Sequence, residues 1–228
     1  MRRLALFARP PEIGKVKTRL SPALPPAAAA ALYGGMLEDA IETMRAAPSA
    51  DERFLYWAGP EATLFSRGVE AHVQAGEGLG GRLATAFQSL VMQEGDRGVI
   101  FGADCPALTP ATIDAAFTQL ESAELVLAPS RDGGYALIGL ARSAEALFRD
   151  VAWSTDRVLA QTLERAGQLG LTHALLDPLD DVDTPEDLCR LLAAAVLPGM
   201  AIGTNTRLAL GRLGMLPAAL TASPAIAG

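Results

Sequence analysis

Short apolar runs of strand length alternate along this chain with longer segments of helical periodicity, and few folds accept that order. RLALFA (3–8), RFLYWA (53–58), VEAHVQ (69–74), GVIFGA (98–103), ELVLAP (124–129), YALIGL (135–140) and THALL (172–176) read as strands. Helices are predicted over 27–45, 82–94, 109–121 and 155–166, with a closing helix opened by DTPED at 183–187. The alternation predicts an α/β domain with a mostly parallel central sheet flanked by helices. In such sheets ligands sit beyond the carboxyl ends of the strands. The polar clusters FARPPEIGKVKTR, GADCP, PSRDGG and DVDTPED each follow an apolar strand or open a helix, so the topology predicts that they converge.

Charge singles out the first of these clusters. The net charge is −7, yet residues 1–19 hold Arg2, Arg3, Arg9, Lys15, Lys17 and Arg19 against Glu12 alone. Both lysines of the chain lie in this loop. One basic loop on an acidic body suits a compact anion such as phosphate and argues against general nucleic-acid binding. A solvated basic terminus would give the same pattern. No stretch reaches the roughly 18 apolar residues of a membrane span, and MRRLALFARPP has too short an apolar core for a secretory leader, so a cytoplasmic protein is expected. Cys105 and Cys189 are far apart and lack metal-type spacing, which predicts reduced thiols. From Pro198 onward periodicity and acidic residues are lost. Residues 1–197 are therefore read as the domain, and 198–228 as a tail that is flexible or covers an apolar surface of a partner subunit in a homodimer.

Three motifs carry candidate chemistry. Asp104 ends a buried strand, where a carboxylate either shapes the turn or ligates a hard cation such as Mg²⁺ or Mn²⁺. In DVDTPEDL, Asp183 or Thr184 caps a helix whose first turn holds Pro185, and Asp183 is placed to share a cation with Asp104. GEGLGG (76–81) matches GxGxxG, but it sits on an internal unit rather than after the first strand, so it reads as a glycine-rich helix entry that can receive a nucleotide. RDGG is a turn signature in which Asp132 is a candidate functional group. Cys105 has no histidine spaced to activate it, and neither a GxSxG elbow nor a P-loop is present.

Taken together, FARPPEIGKVKTRL, Gln74 with GEGLGGRLATAF, GADCPALTP, APSRDGGYALIGL, VAWST and DVDTPEDL resemble an uncharacterised bacterial family described as glycosyltransferases of the glycosyltransferase-A fold. Some of its members are described as arsenosugar-biosynthesis glycosyltransferases. The resemblance covers residues 3–195 and implies a single nucleotide-diphosphosugar transferase domain. It implies Arg9, Lys15, Lys17, Arg19, Gln74, Gly80 and Arg82 around the nucleotide and its phosphates, and Asp104 and Asp183 as ligands of Mg²⁺ or Mn²⁺. Lys17 and Asp132 would be catalytic, with Asp132, Gly133, Gly134, Trp153, Ser154 and Thr155 around the acceptor. The expected activity is metal-dependent glycosyl transfer from a nucleotide-activated donor to a small-molecule acceptor. Asp104-Cys105-Pro106 departs from the Asp-x-Asp of many such enzymes. With KTRLS and DGG, it is also similar to small nucleotidyltransferases such as the phospholactate guanylyltransferases and the molybdenum-cofactor nucleotidyltransferases, although it lacks their Leu-Ala-Ala-Gly pattern. That similarity implies attack of a substrate phosphate on a nucleoside triphosphate. A catalytically silent nucleotide-binding module is the third reading.

Overall fold

A computed structural model describes residues 1–59, 68–197, 202–217 and 220. Its strands are β1 (Arg2–Ala8), β2 (Glu52–Trp57), β3 (Glu70–Val73), β4 (Arg97–Gly102), β5 (Leu125–Pro129), β6 (Tyr135–Leu140) and β7 (His173–Leu175). Its helices are α1 (Pro26–Ala46), α2 (Gly78–Leu90), α3 (Pro110–Gln119), α4 (Val158–Gln168), α5 (Pro185–Ala195) and α6 (Thr204–Arg212). The strands form one sheet in the order β3-β2-β1-β4-β6-β5-β7. All pairings are parallel except those of β6 with β4 and β5. The reversal follows from chain length: β5 and β6 are joined by a turn too short for a crossover, closed by Ser130 N–H donating to Gly134 C=O at 3.0 Å.

Alternation along each strand sends side chains to two cores. Leu4, Leu6, Val99, Phe101, Val126 and Ala128 pack under α1, α3, α5 and α6, whereas Ala5, Ile100, Leu125 and Leu127 pack under α2 and α4. The expected sheet flanked by helices is thus the observed one. Among the described residues no helix is long and apolar enough to cross a membrane.

Helix ends differ from expectation where the signals are not local. The α2 helix starts at Gly78 rather than 82, absorbing the GLGG run, and stops at Leu90. Beyond it the Asp96 carboxylate accepts the Met92 and Gln93 N–H groups, each at 3.2 Å. The same carboxylate takes the Arg3 guanidinium at 2.8 Å, and Arg3 also donates to Glu52 at 2.6 Å, so a buried ion pair ties β1 to the chain entering β4.

The segment after Pro198, expected as a tail without periodicity, contains α6, while 198–201, 218–219 and 221–228 lie outside the described residues. The buried Asp39 of α1 caps α6 by accepting the Asn205 N–H at 2.8 Å and the Thr206 N–H at 2.7 Å. The approach is close enough that a Cβ on Gly203 would fall 2.0 Å from the Asp39 carboxyl carbon.

Candidate active site

From β1 the chain leaves toward β2 and β3, and from β4 it leaves toward β6, β5 and β7, so a crevice opens where these neighbours diverge. A cavity of about 560 Å³ lies there. Its wall includes Arg9, Lys15, Lys17, Arg19, Gln74, Arg82, Asp104, Asp183 and Ser154, and also Tyr33 and Tyr135, which the sequence did not single out. The basic loop and the two strand-end carboxylates therefore converge, although they are far apart in sequence.

The loop is anchored from below by buried Val16, Leu20 and Leu24. Between these anchors Lys17 adopts a left-handed backbone, φ 48° and ψ 37°, which costs a non-glycine residue about 1 kcal/mol or more. The ammonium of Lys17 lies 3.2 Å from Asp104 Oδ2 and 3.7 Å from Asp183 Oδ1, and its side chain is only 6% exposed. Arg19 takes the other Asp183 oxygen at 2.8 Å. Lys15 stays at the surface and pairs with Glu12 at 2.5 Å. The charge of Lys17, acting against desolvation, holds the Asp104 carboxyl below its ordinary range, so it stays ionised.

Asp183 is free for this role because Thr184, not Asp183, caps α5. Thr184 accepts from the Asp187 N–H, and Asp187 Oδ2 accepts the Asp183 and Thr184 N–H groups at 3.0 and 2.7 Å. Two bonds lock the loops together: Val182 N–H donates to Asp104 C=O at 3.0 Å, and the Cys105 thiol donates to Asp180 C=O at 3.2 Å. Burial and the adjacent Asp104 push that thiol up to about 12, which leaves it protonated and unsuited to nucleophilic attack.

Asp181 was passed over in the sequence. Its carboxyl is pushed up to about 6 by burial and then by the charges of Asp132 and Asp104. The available signal was its place in the DVD run beside Asp183, with buried Val182 between the two acids.

On the opposite wall, Gln74 spends both amide hydrogens on Ala8 C=O at 3.1 Å and Tyr56 C=O at 3.0 Å, leaving its Oε1 for another donor. Arg82 lines the cavity with its buried Nε lacking an acceptor among the described residues. Tyr33 donates no charge: burial raises its hydroxyl to about 12, and it accepts the Arg9 N–H at 3.2 Å.

Other expected site residues are placed elsewhere. Gly80 is buried and packs on Trp153, and neither lines the cavity. A Cβ on Gly80 would fall 2.5 Å from the Trp153 indole nitrogen and 2.8 Å from Phe148 C=O. Gly80→Ala is therefore expected to lower the thermal midpoint, at a cost of about 1–3 kcal/mol, while nucleotide affinity of the folded protein stays unchanged. Weakened nucleotide binding at intact stability would instead make Gly80 a ligand contact. Asp132 accepts from the Ser130 hydroxyl and from Gly134 N–H at 3.0 Å, holding the turn that Gly133 and Gly134 complete. Thr155 donates to Ala152 C=O at 2.7 Å.

The donor set suits a hard divalent cation. Asp104 and Asp183 present carboxylate oxygens around one point where a cationic nitrogen sits, and among the described residues no group of three or more His, Cys, Asp or Glu has metal-binding geometry. Two carboxylates suffice for Mg²⁺ or Mn²⁺ when phosphates and water complete the shell.

Comparison with known proteins identifies the family and the fold. A family model described as "Uncharacterized protein conserved in bacteria (DUF2064)" matches residues 40–155. The 2-phospho-L-lactate guanylyltransferase of Methanothermobacter thermautotrophicus is 29% identical over 187 residues, covering 77% of this chain and 78% of that protein. A crystal structure from Desulfovibrio desulfuricans G20, described as a candidate nucleotide-diphospho-sugar transferase, superposes with a TM-score of 0.84 at 25% identity, over 94% of this chain and 96% of that one. CMP:2-keto-3-deoxy-manno-octonic acid synthetase complexed with CTP shares the fold at a TM-score of 0.54 and 14% identity, over 86% of this chain and 99% of that one.

Proposed function

Because this chain belongs to the bacterial DUF2064 family and has the nucleotide-diphosphosugar transferase fold, we propose that it is a metal-dependent nucleotidyltransferase that joins a nucleoside triphosphate to a phosphorylated small molecule with release of pyrophosphate. The observation that carries this reading is the charge of the cavity wall. Among the described residues, five cationic side chains line it (Arg9, Lys15, Lys17, Arg19 and Arg82) against two carboxylates, Asp104 and Asp183. A triphosphate meeting a phosphorylated acceptor brings more negative charge than a diphosphosugar meeting a neutral one, and an excess of cations offsets it. The guanylyltransferase relative supports the same choice.

In this reading Lys17, Arg19, Arg9 and Arg82 hold the triphosphate and stabilise charge on the departing pyrophosphate. Asp104 and Asp183 would hold Mg²⁺ or Mn²⁺, which would supply Lewis-acid stabilisation of the phosphate charge. The acceptor phosphate is itself the nucleophile, so the site needs orientation more than a strong base. Ser154, which lines the cavity, would border the acceptor.

Glycosyl transfer remains the second reading, favoured by the likeness to the Desulfovibrio protein. The experiment that separates them supplies nucleoside triphosphates with phosphorylated hydroxy acids, and nucleotide sugars with neutral acceptors, each with Mg²⁺ or Mn²⁺. Pyrophosphate release from the first mixture is expected. Nucleoside diphosphate release confined to the second would overturn the proposal.

A further inference from the structure

We propose that Lys17 is the built-in counter-ion of the Asp104/Asp183 pair, and that a divalent cation enters only together with nucleotide phosphates that draw Lys17 and Arg19 off those carboxylates. The inference rests on the reading that these two aspartates hold the metal. Its basis is that three of the four carboxylate oxygens already face a cation. Asp104 Oδ2 and Asp183 Oδ1 share the Lys17 ammonium at 3.2 and 3.7 Å, and Asp183 Oδ2 receives Arg19 at 2.8 Å.

The ammonium is also the inner partner, with 6% of the Lys17 side chain exposed against 45% for Asp104. A dication reaching the same oxygens would bind them at about 2.0–2.2 Å and so stand within a few ångström of the ammonium. At that separation in a partly desolvated crevice the two cations repel strongly. One of them must leave, and nothing about a free aqueous ion gives Lys17 a new partner.

Phosphates do give it one. A triphosphate presents several anionic oxygens beside the loop, so Lys17 and Arg19 can exchange carboxylate for phosphate without losing a charge-assisted hydrogen bond. The freed carboxylates then accept the cation that arrives on the same phosphates. The ligand recognised is accordingly a cation–nucleotide complex, and the free cation binds poorly.

Mn²⁺ binding to the nucleotide-free protein, followed by the loss of the free-ion electron paramagnetic resonance signal, tests this. Lys17→Met is expected to bind Mn²⁺ about tenfold more tightly than wild type, the size of one charge-assisted contact, and Lys17→Gln to rank the same way. Adding Asp104→Asn to Lys17→Met should abolish the gain. Wild-type Mn²⁺ affinity in both Lys17 variants, with thermal unfolding preserved, overturns the proposal. In that event, if Mn²⁺ still strengthens binding of a non-hydrolysable triphosphate analogue to wild type, the metal reading stands and only the counter-ion role falls. If it does not, both fall.

Discussion

Asp104→Asn is expected to fold as wild type does and to lose about a hundredfold or more of the nucleotidyl-transfer rate proposed for this chain. The substitution keeps the shape of the side chain and removes the charge on which a hard cation depends. Stability should change little, by about 0.5–1 kcal/mol, because Asp104 is half-exposed and Lys17 keeps Asp183 at 3.7 Å. Pyrophosphate release measured beside a thermal melt checks both halves. A folded variant with wild-type turnover removes Asp104 from the reaction.

The largest effect on stability is expected far from the cavity. Asp96 is 1% exposed, and Arg3 is nearly as buried. Asp96→Ala should cost about 3 kcal/mol, since it removes the buried carboxylate from the Arg3 guanidinium, which keeps only the half-exposed Glu52 and Leu90 C=O, and leaves two amide groups without their acceptor. Burial alone would raise the Asp96 carboxyl, but the Arg3 hydrogen bond, the hydrogen bond from the Met1 ammonium at 3.1 Å, the Arg3 charge and the Gln93 N–H outweigh it and hold the group at about 2 against an ordinary 3.8. The folded value is the lower one, so this contribution is complete above pH about 4 and is lost as pH falls toward 2. It amounts to about 2 kcal/mol. The difference in stability between wild type and Asp96→Ala should therefore shrink across that window when both are melted as a function of pH. A constant difference would mean that the pair does not titrate as a unit with folding.

Much of the fold was legible because its signals are local. Apolar strands and the Thr-Pro starts of α3 and α5 lie within a few residues of what they specify, and Thr109 and Thr184 both form capping boxes. Convergence of the basic loop with Asp104 and Asp183 was legible for the same reason, since strand ends share one edge of the sheet. Pairings across that edge were not. Nothing near Lys17 announces its left-handed backbone or its contact with two carboxylates. Gly80 and Trp153 carried a ligand-binding expectation, yet they pack on each other, a relation visible only once α2 faces the 153 loop. The choice between sugar and nucleotide transfer was hard to read because both place phosphates on the same loop. The absent Leu-Ala-Ala-Gly pattern favoured sugar transfer, whereas the charge of the assembled wall and the guanylyltransferase relative favour the other. Helix α6 was missed because its cap is Asp39, 166 residues before Asn205.

That long-range cap has a consequence for synthesis on the ribosome. Helix α1 is made early, but the surface on which Ala209 and Leu210 settle, beside Gly35, stays bare until α6 has left the exit tunnel. Asp39 meanwhile faces water. Strands, crossovers and the basic loop can assemble as they emerge, whereas this outer layer closes only after α6 is free to dock. Until α6 docks, the chain thus displays one helix face unsealed, the kind of exposed apolar surface on which chaperones act.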